Sequence, residues 1–236
     1  MFLSVNKRTI LWGSLLLLGI AALLFCGVFH QQQMAKEAVS VPLEGKVIVI
    51  DPGHGGFDAG ASANDVVEKD INLAVALRLK ACVEQGGGTA VLTRKTDVST
   101  APEDAQGQSA KKADLTARKN LAQSSGADMF VSVHMNKFPQ SQYKGAQVFY
   151  AASPAESQRL GETIQASLKE VLADGNERMA KKTDGGIFIL KDTTVPSVIV
   201  ECGFLSNPEE AALLQQEAYQ EKLAQAIYQG LARFNE

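Results

Sequence analysis

The sequence predicts an α/β fold, a single three-layer domain built on a twisted, mostly parallel sheet of about six strands with helices on both sides. Two observations support this class. Short runs of β-branched residues, such as residues 46–51, are typical of strands that are buried on both faces. Segments with apolar residues at helical spacing alternate with these runs, which is the order that a parallel sheet requires. An apolar anchor helix is predicted ahead of this domain.

The elements follow from these two patterns in chain order. Strands are predicted where short apolar runs occur, at 46–51, 89–93, 128–134, 145–150, 187–190 and 197–200. Helices are predicted where apolar residues recur every three or four positions, at 69–84, 114–124, 156–172 and in a C-terminal segment that carries Leu223, Ile227 and Leu231. The second helix begins near an Asp cap at Asp114. The polar stretches 97–113 and 173–186 are predicted to be surface loops.

The first thirty residues form a separate segment. Lys7 and Arg8 precede an uncharged apolar run over residues 10–29, which as a helix can span about 30 Å of hydrocarbon. The basic flank on the N-terminal side places the rest of the chain outside the cytoplasm. We expect an uncleaved membrane anchor, and a cleaved signal peptide is the alternative. The predicted organisation is therefore an anchor or signal segment at 1–30, a linker at 31–44 and a catalytic domain at 45–236, in a membrane-anchored or secreted protein.

Composition argues against nucleic-acid binding and against a scaffold held by disulfides. The net charge is −3 and the basic residues are scattered, so the sequence offers no electrostatic case for binding nucleic acid. Outside the apolar run only Cys82 and Cys202 remain. We interpret both as small buried hydrophobic residues, and a disulfide framework is not indicated.

Chemically useful side chains stand at the carboxyl ends of the predicted strands, where sites form in open α/β sheets. His54 follows the first strand, His134 ends the third, and Glu201 ends a later core strand. Glu68 lies at the start of the first helix. The chain has three histidines, so the placement of two of them on one rim is informative.

Two imidazoles and one carboxylate, with a fourth position left open, are typical of a catalytic zinc site and not of a closed structural one. A further carboxylate would then act as general base. The spacing alone does not separate Glu68 and Glu201 from Asp58 and Asp70, which are more typical of a turn and a helix start. Asp51 is interpreted as a hydrogen-bonded turn residue or as a group that orients a ligating histidine.

Four ordered motifs resemble the zinc-dependent N-acetylmuramoyl-L-alanine amidases of the amidase-3 type. They are Val-Ile-Asp-Pro-Gly-His-Gly-Gly, Glu-Lys-Asp followed by Asn-Leu-Ala, Phe-Val-Ser-Val-His-Met-Asn and Val-Glu-Cys-Gly-Phe-Leu-Ser-Asn, at 49–56, 68–74, 130–136 and 200–207. The resemblance implies a single Zn²⁺ held by His54, Glu68 and His134, with Glu201 as catalytic base. The implied reaction is hydrolysis of the amide between N-acetylmuramic acid and the L-alanine of the peptidoglycan stem peptide.

Within that family the chain is most similar to the spore-cortex amidases, because it is small, has the apolar N-terminal run and carries Gly-Ala-Gln-Val-Phe-Tyr at 145–150. This implies a role in forming muramic δ-lactam, with a downstream deacetylase and an activating protein as candidate partners. The alternatives are a general cell-wall amidase in growth or division, a zinc deacetylase of wall sugars, and a non-catalytic wall-binding protein.

Two further residues at the rim are candidates for contact with the substrate. Arg94 ends the second strand, where it could pair with a stem-peptide carboxylate, and the alternative is a salt bridge to Asp97. Asn136 follows the His134 motif and is placed similarly. Arg118 lies on a predicted helix and is interpreted as structural.

Overall fold

The computed structural model describes residues 41–236. The predicted anchor over residues 10–29 lies outside the described residues, as do the rest of the 1–30 segment and residues 31–40 of the linker. Within the part that is described, no helix has the length and apolar character needed to cross a bilayer.

The described residues form the three-layer α/β domain that the sequence predicts, around one six-stranded sheet. Its strands, named in chain order, are β1 (Val47–Pro52), β4 (Thr89–Leu92), β5 (Met129–Asn136), β6 (Gln147–Tyr150), β7 (Lys181–Lys182) and β8 (Ser197–Phe204). The order across the sheet is β4-β1-β5-β8-β6-β7. Strands β4, β1, β5 and β8 are parallel, whereas β6 runs antiparallel to β8. Strands β2 (Ser62–Ala63) and β3 (Val66–Val67) form a separate small hairpin.

Helices cover both faces of the sheet. They are α1 (Glu68–Gln85), α2 (Gly107–Ser124), α3 (Glu156–Leu172), α4 (Pro208–Leu214) and α5 (Glu217–Asn235). Helices α1, α3 and α5 pack on one face, where Val75, Ile164 and Ile227 are fully buried against residues of the central strands. Helix α2 lies on the other face with a short 3-10 helix, Phe188–Leu190. Burial on both faces explains why the central strands are continuously apolar.

The structure corrects three of the predicted elements. Residues 187–190, predicted as a strand, include the 3-10 helix instead, because Ile189 and Leu190 pack onto the sheet face beside Phe130 and Ile199 and do not extend its edge. The sixth strand is β7, inside the stretch predicted as the 173–186 loop; its two lysines are exposed and pair with β6. Helix α2 begins at Gly107 and not near Asp114.

The sheet register brings the predicted site residues to one edge. In β5 and β8, His134 lies directly opposite Glu201. In β1 and β5, Asp51 lies opposite Ser132, and Gly53 N donates to Val133 O at 3.0 Å just beyond the last pair. Since these strands are parallel, their carboxyl ends open at the same side of the domain.

Candidate metal centre

Three side chains converge at the carboxyl edge of the sheet. His54, Glu68 and His134 each offer one ligand atom, and these atoms lie within 4.8 Å of one another. Glu68 Oε1 is 2.9 Å from His134 Nδ1 and 3.2 Å from His54 Nε2. The two imidazole rings meet edge to face, with their centroids 4.9 Å apart. The structure therefore brings together three of the four residues that the sequence selected, around one carboxylate oxygen.

Glu68 is held by backbone donors as well as by the histidines. Ala61 N donates to its Oε2 at 2.7 Å and Met135 N donates to its Oε1 at 3.2 Å. Burial raises the pKa of Glu68, but the hydrogen bonds from His134 and His54 outweigh it and hold the pKa well below its usual range. The carboxylate is thus kept charged in a buried position, which is the condition for binding a cation.

His54 is oriented by its own loop. Its backbone φ is 62°, a left-handed conformation that is uncommon for a residue with a side chain. His54 Nδ1 is hydrogen-bonded to Asp58 Oδ2 at 2.9 Å, and Asp58 Oδ1 accepts from Gly60 N at 3.2 Å. Arg118 Nη2 donates to the backbone carbonyl of His54 at 2.6 Å. Because Nδ1 is engaged by Asp58, Nε2 is the nitrogen left facing Glu68, as in metal sites where a carboxylate orients a ligating histidine.

Two glycines give the ligands their space. A Cβ added at Gly53 would lie 2.2 Å from His134 Nε2. One added at Gly60, whose φ is +69°, would lie 2.6 Å from Glu68 Oε2 and 2.7 Å from His54 Cδ2. Any larger residue at either position would displace a side chain of the centre.

Glu201 lies beside these three residues, but its carboxylate is not fully hydrogen-bonded. Its Oε2 is buried and has no hydrogen-bond partner among the described residues. Burial raises the pKa of Glu201 to about 7; the charge of Glu68 adds to the increase, while those of His134 and His54 oppose it. A carboxyl group whose pKa lies near neutrality, with one unpaired oxygen, has the properties of a general base.

The donor set fits a divalent transition metal. Two imidazoles and one carboxylate match the ligands that zinc takes in catalytic sites. Buried polar atoms normally have a hydrogen-bond partner, and Glu201 Oε2 has none among the described residues. A water molecule bound beside the three ligands would supply that donor. The set would suit Ca²⁺ or Mg²⁺ poorly, since those ions prefer oxygen ligands throughout.

The structure does not leave Arg94 free for a substrate carboxylate, and this corrects the predicted substrate contact. Arg94 is 3% exposed, and its guanidinium donates to the carbonyls of Pro52, Gly53, Lys69 and Thr96. The salt bridge of Asp97 is formed with Lys69 at 2.6 Å. Arg94 therefore fastens the loop beneath His54, because its hydrogen bonds are made to the backbone carbonyls of that loop and its neighbours.

The remaining predicted residues have clear positions. Asn136 ends β5 half-buried, and its carbonyl accepts from Leu205 N at 2.8 Å, so contact with the substrate stays a prediction. Asp51 accepts from Thr93, Ser132 and Arg118 and so braces the strand ends.

Cys82 and Cys202 are buried and free, as expected of small hydrophobic residues. Burial raises the pKa of the Cys202 thiol far above its ordinary range, which makes it a poor nucleophile.

Sequence reasoning missed the positioning residues of the centre. Asp58 was interpreted as a turn residue, although it is the partner of His54 Nδ1. The sequence feature that could have revealed this role is the position of Asp58, four residues after His54 in a glycine-rich turn, since such a turn brings the chain back on itself. The interpretation of Arg118 as structural agrees with its buried network, although the sequence offers no sign that it reaches the carbonyl of His54.

Comparisons with known proteins show the family of this chain. A family model described as N-acetylmuramoyl-L-alanine amidase (Amidase_3) matches residues 48–233. The germination-specific N-acetylmuramoyl-L-alanine amidase of Bacillus subtilis strain 168 is 39% identical over 232 residues, which cover 97% of this chain and 96% of that protein.

Solved structures show the same fold. The CwlD amidase from Clostridioides difficile, solved in complex with the GerS lipoprotein, is 45% identical with a TM-score of 0.77, over 80% of this chain and 98% of that one. The catalytic domain of CwlV, an N-acetylmuramoyl-L-alanine amidase from Bacillus (Paenibacillus) polymyxa var. colistinus, is 29% identical with a TM-score of 0.69, over 80% and 97%.

Proposed function

The chain belongs to the N-acetylmuramoyl-L-alanine amidase family, and on that premise we propose that it is a zinc hydrolase with His54, Glu68 and His134 as ligands and Glu201 as general base. Its substrate is the amide between N-acetylmuramic acid and the first residue of the stem peptide in peptidoglycan. One observation carries the proposal: the buried Oε2 of Glu201, which has no hydrogen-bond partner within residues 41–236, stands beside three converging donors at the sheet edge.

The residues of the chain divide the work as follows. A zinc ion held by the trio would supply Lewis acidity, polarising the scissile carbonyl and acidifying water. Asp58 holds His54 in one tautomer, and the backbone donors at Ala61 and Met135 fix the carboxylate of Glu68. Glu201 Oε2 accepts a proton from the attacking water and returns it to the alanine nitrogen as the amide bond breaks.

The variant Glu201→Gln tests the base. It keeps the size and position of the side chain but cannot accept the proton, so we expect zinc binding to be retained and hydrolysis to fall by about 10²–10⁴-fold. The measurements are zinc content by elemental analysis and release of stem peptide from peptidoglycan by mass spectrometry. Glu209→Gln, an exposed position on α4, is the matched control. Activity in Glu201→Gln equal to that of the control would remove Glu201 from the base role.

The products separate this reaction from the alternative of a zinc deacetylase. An amidase releases free stem peptide with a new α-amino group, whereas a deacetylase releases acetate from the wall sugars. Peptidoglycan that binds the zinc-loaded protein with neither product would indicate a wall-binding protein.

The physiological setting we infer is the spore cortex. The supporting observation is the 39% identity to the germination-specific amidase across nearly the full length of both chains. Removal of the stem peptide would leave an N-acetylmuramic acid with a free lactyl carboxylate, and a deacetylase would then remove its acetyl group on the route to muramic δ-lactam. Spores that lack this protein should then lack muramic δ-lactam by muropeptide analysis; spores with normal δ-lactam and an altered vegetative wall would favour the role in growth or division.

An extracytoplasmic location and an activating partner complete the proposal. Peptidoglycan lies outside the cytoplasmic membrane, and residues 10–29 would hold the domain there or direct its export. The similar CwlD amidase was solved with the GerS lipoprotein, so we expect a protein partner for this chain as well. Co-purification from sporulating cells followed by an activity assay with and without the partner would test this.

A further inference from the structure

A groove leads away from the metal centre between helix α2 and the 3-10 helix. It has a volume of about 370 Å³ and is lined by Gln108, Lys111, Lys112, Leu115 and Phe188. Lys111 and Leu115 also line the small cleft that contains His54, Asp58 and His134. Because the groove and the cleft share two wall residues, a molecule held at the centre can continue into the groove.

The lining of the groove carries positive charge. Two of its five lining residues are lysines and none is acidic. The side chain of Lys111 is 58% exposed, and its Nζ lies 3.4 Å from Asp58 Oδ2, beside the centre. Lys112, the next residue along α2, is also exposed, and no residue that lines the groove is acidic, so its charge faces solvent.

The apolar wall of the groove is held in place from behind. Phe188 is 37% exposed, and Lys119 Nζ lies over its ring, 5.6 Å from the centroid. The two residues that follow, Ile189 and Leu190, are 5% and 2% exposed and pack into the core on this face of the sheet. Ile189 also lines the cleft of the metal centre. The apolar wall at Phe188 is therefore backed by buried residues.

The spacing of the lining residues along α2 suits a short extended peptide. Leu115 lies three to four residues from Lys112 and Lys111 on α2, which is about one helical turn or 5 Å. An extended peptide advances about 3.3 Å per residue. A peptide that leaves the centre along Leu115 therefore reaches the lysines within about two residues of the scissile amide.

We propose that this groove binds the peptide side of the substrate, with Lys111 and Lys112 pairing with carboxylates at the second residue of the stem peptide or beyond. The proposal rests on the amidase function proposed above. The occupant is an acidic peptide because the peptide leaving group ends in a carboxylate, because the lining offers two cations and no anion, and because Leu115 and Phe188 give an apolar wall for its aliphatic atoms.

The test compares two substrates that differ in one charge. Muramoyl peptides with glutamate or glutamine after L-alanine are cleaved by full-length, zinc-loaded protein, either wild type or Lys111→Gln/Lys112→Gln. We expect the double variant to lose about tenfold in kcat/KM on the glutamate peptide, mainly through KM. On the glutamine peptide the variant and the wild type should be alike. Lys80→Gln, on the outer surface of α1 and paired with Glu84, is the charge-matched control.

Binding of the released peptide provides a second measurement that does not need catalysis. L-alanyl-glutamate and L-alanyl-glutamine are titrated into each protein and followed by NMR. Preference for the glutamate peptide in the wild type and in Lys80→Gln, lost in the double variant, supports the groove. Equal effects of the double variant on both peptides would overturn it. Lysine-dependent binding without cleavage of any muramoyl peptide would support the groove and refute the amidase function.

Discussion

Arg118 fastens the strand ends beneath the metal centre, and replacing it by methionine tests how much of the fold depends on that contact. Its Nε donates to Asp114 Oδ2 at 2.7 Å. Its Nη1 donates to Asp51 Oδ1 at 2.9 Å and to Pro52 O at 2.8 Å, and its Nη2 donates to His54 O at 2.6 Å and to Asp114 Oδ1 at 3.4 Å. All five N–H groups of the guanidinium are therefore used, by a side chain that is 1% exposed.

Arg118→Met keeps most of the side-chain volume and removes every one of these donors. Asp51 and Asp114 are then buried without their counter-charge, at 1% and 5% exposure. Removing one partner of a buried pair costs about 3–5 kcal/mol. We expect the free energy of unfolding to fall by that amount, out of the roughly 5–15 kcal/mol that is typical of a domain.

The loss should depend on pH. Burial raises the pKa of Asp51, but the charge of Arg118 and the hydrogen bonds of Ser132 and Thr93 lower it more, so the folded pKa lies below the ordinary value. The stabilisation in the wild type is therefore present above the unfolded pKa of about 3.9 and is lost as the pH falls through the folded pKa. Without Arg118, burial dominates and the Asp51 pKa rises, so the difference between the proteins shrinks as the pH falls.

Urea unfolding of the metal-free protein at pH 7 and pH 4, followed by circular dichroism, measures both effects. The control is Arg233→Met, which breaks the exposed pair with Glu170 at 2.7 Å and should cost below about 1 kcal/mol. If Arg118→Met lost no more stability at pH 7 than Arg233→Met, the buried network would not support the strand ends.

Three further predictions concern the metal centre. Asp58→Asn should lower zinc affinity by about 10–100-fold, measured by competition with a chelator, because the carboxylate no longer orients His54; unchanged affinity would show that the loop alone positions the ring. Gly53→Ala should displace His134, since the added Cβ would lie 2.2 Å from Nε2, and should reduce zinc content and peptide release, whereas Gly186→Ala, at an exposed position, should not. Dialysis against a chelator should abolish peptide release and Zn²⁺ should restore it; activity that survives metal removal would contradict a zinc hydrolase.

The sequence predicted the central elements well because their signal is local. Strands β1, β5 and β8 are buried on both faces, so they are continuous apolar runs. Helix α3 has a strong apolar stripe that includes Leu160, Ile164 and Leu168. The predicted positions of these elements agree with the structure to within a few residues at each end.

Helix α2 shows why other elements were predicted less well. Its buried positions are Ala110, Asp114, Arg118 and Ala122, at a spacing of four. The spacing is helical, but two of the four residues are charged, so an apolar pattern does not reveal it. Their burial is compensated by Asp51, which comes from a strand far away in sequence. Strand β7 carries only exposed lysines and is a strand solely because β6 offers it an edge.

The sequence by itself determined that two histidines stand at the ends of buried strands, because apolar runs are local features of the chain; that these two strands are neighbours in the sheet was decided by the tertiary structure. It also determined that carboxylates lie near them. Only the tertiary structure decided that Glu68 reaches between His54 and His134 while Arg94 turns to backbone carbonyls. Those pairings depend on how α1 and the glycine-rich loop cross the sheet edge, and such crossings are set by packing between segments that are distant in sequence.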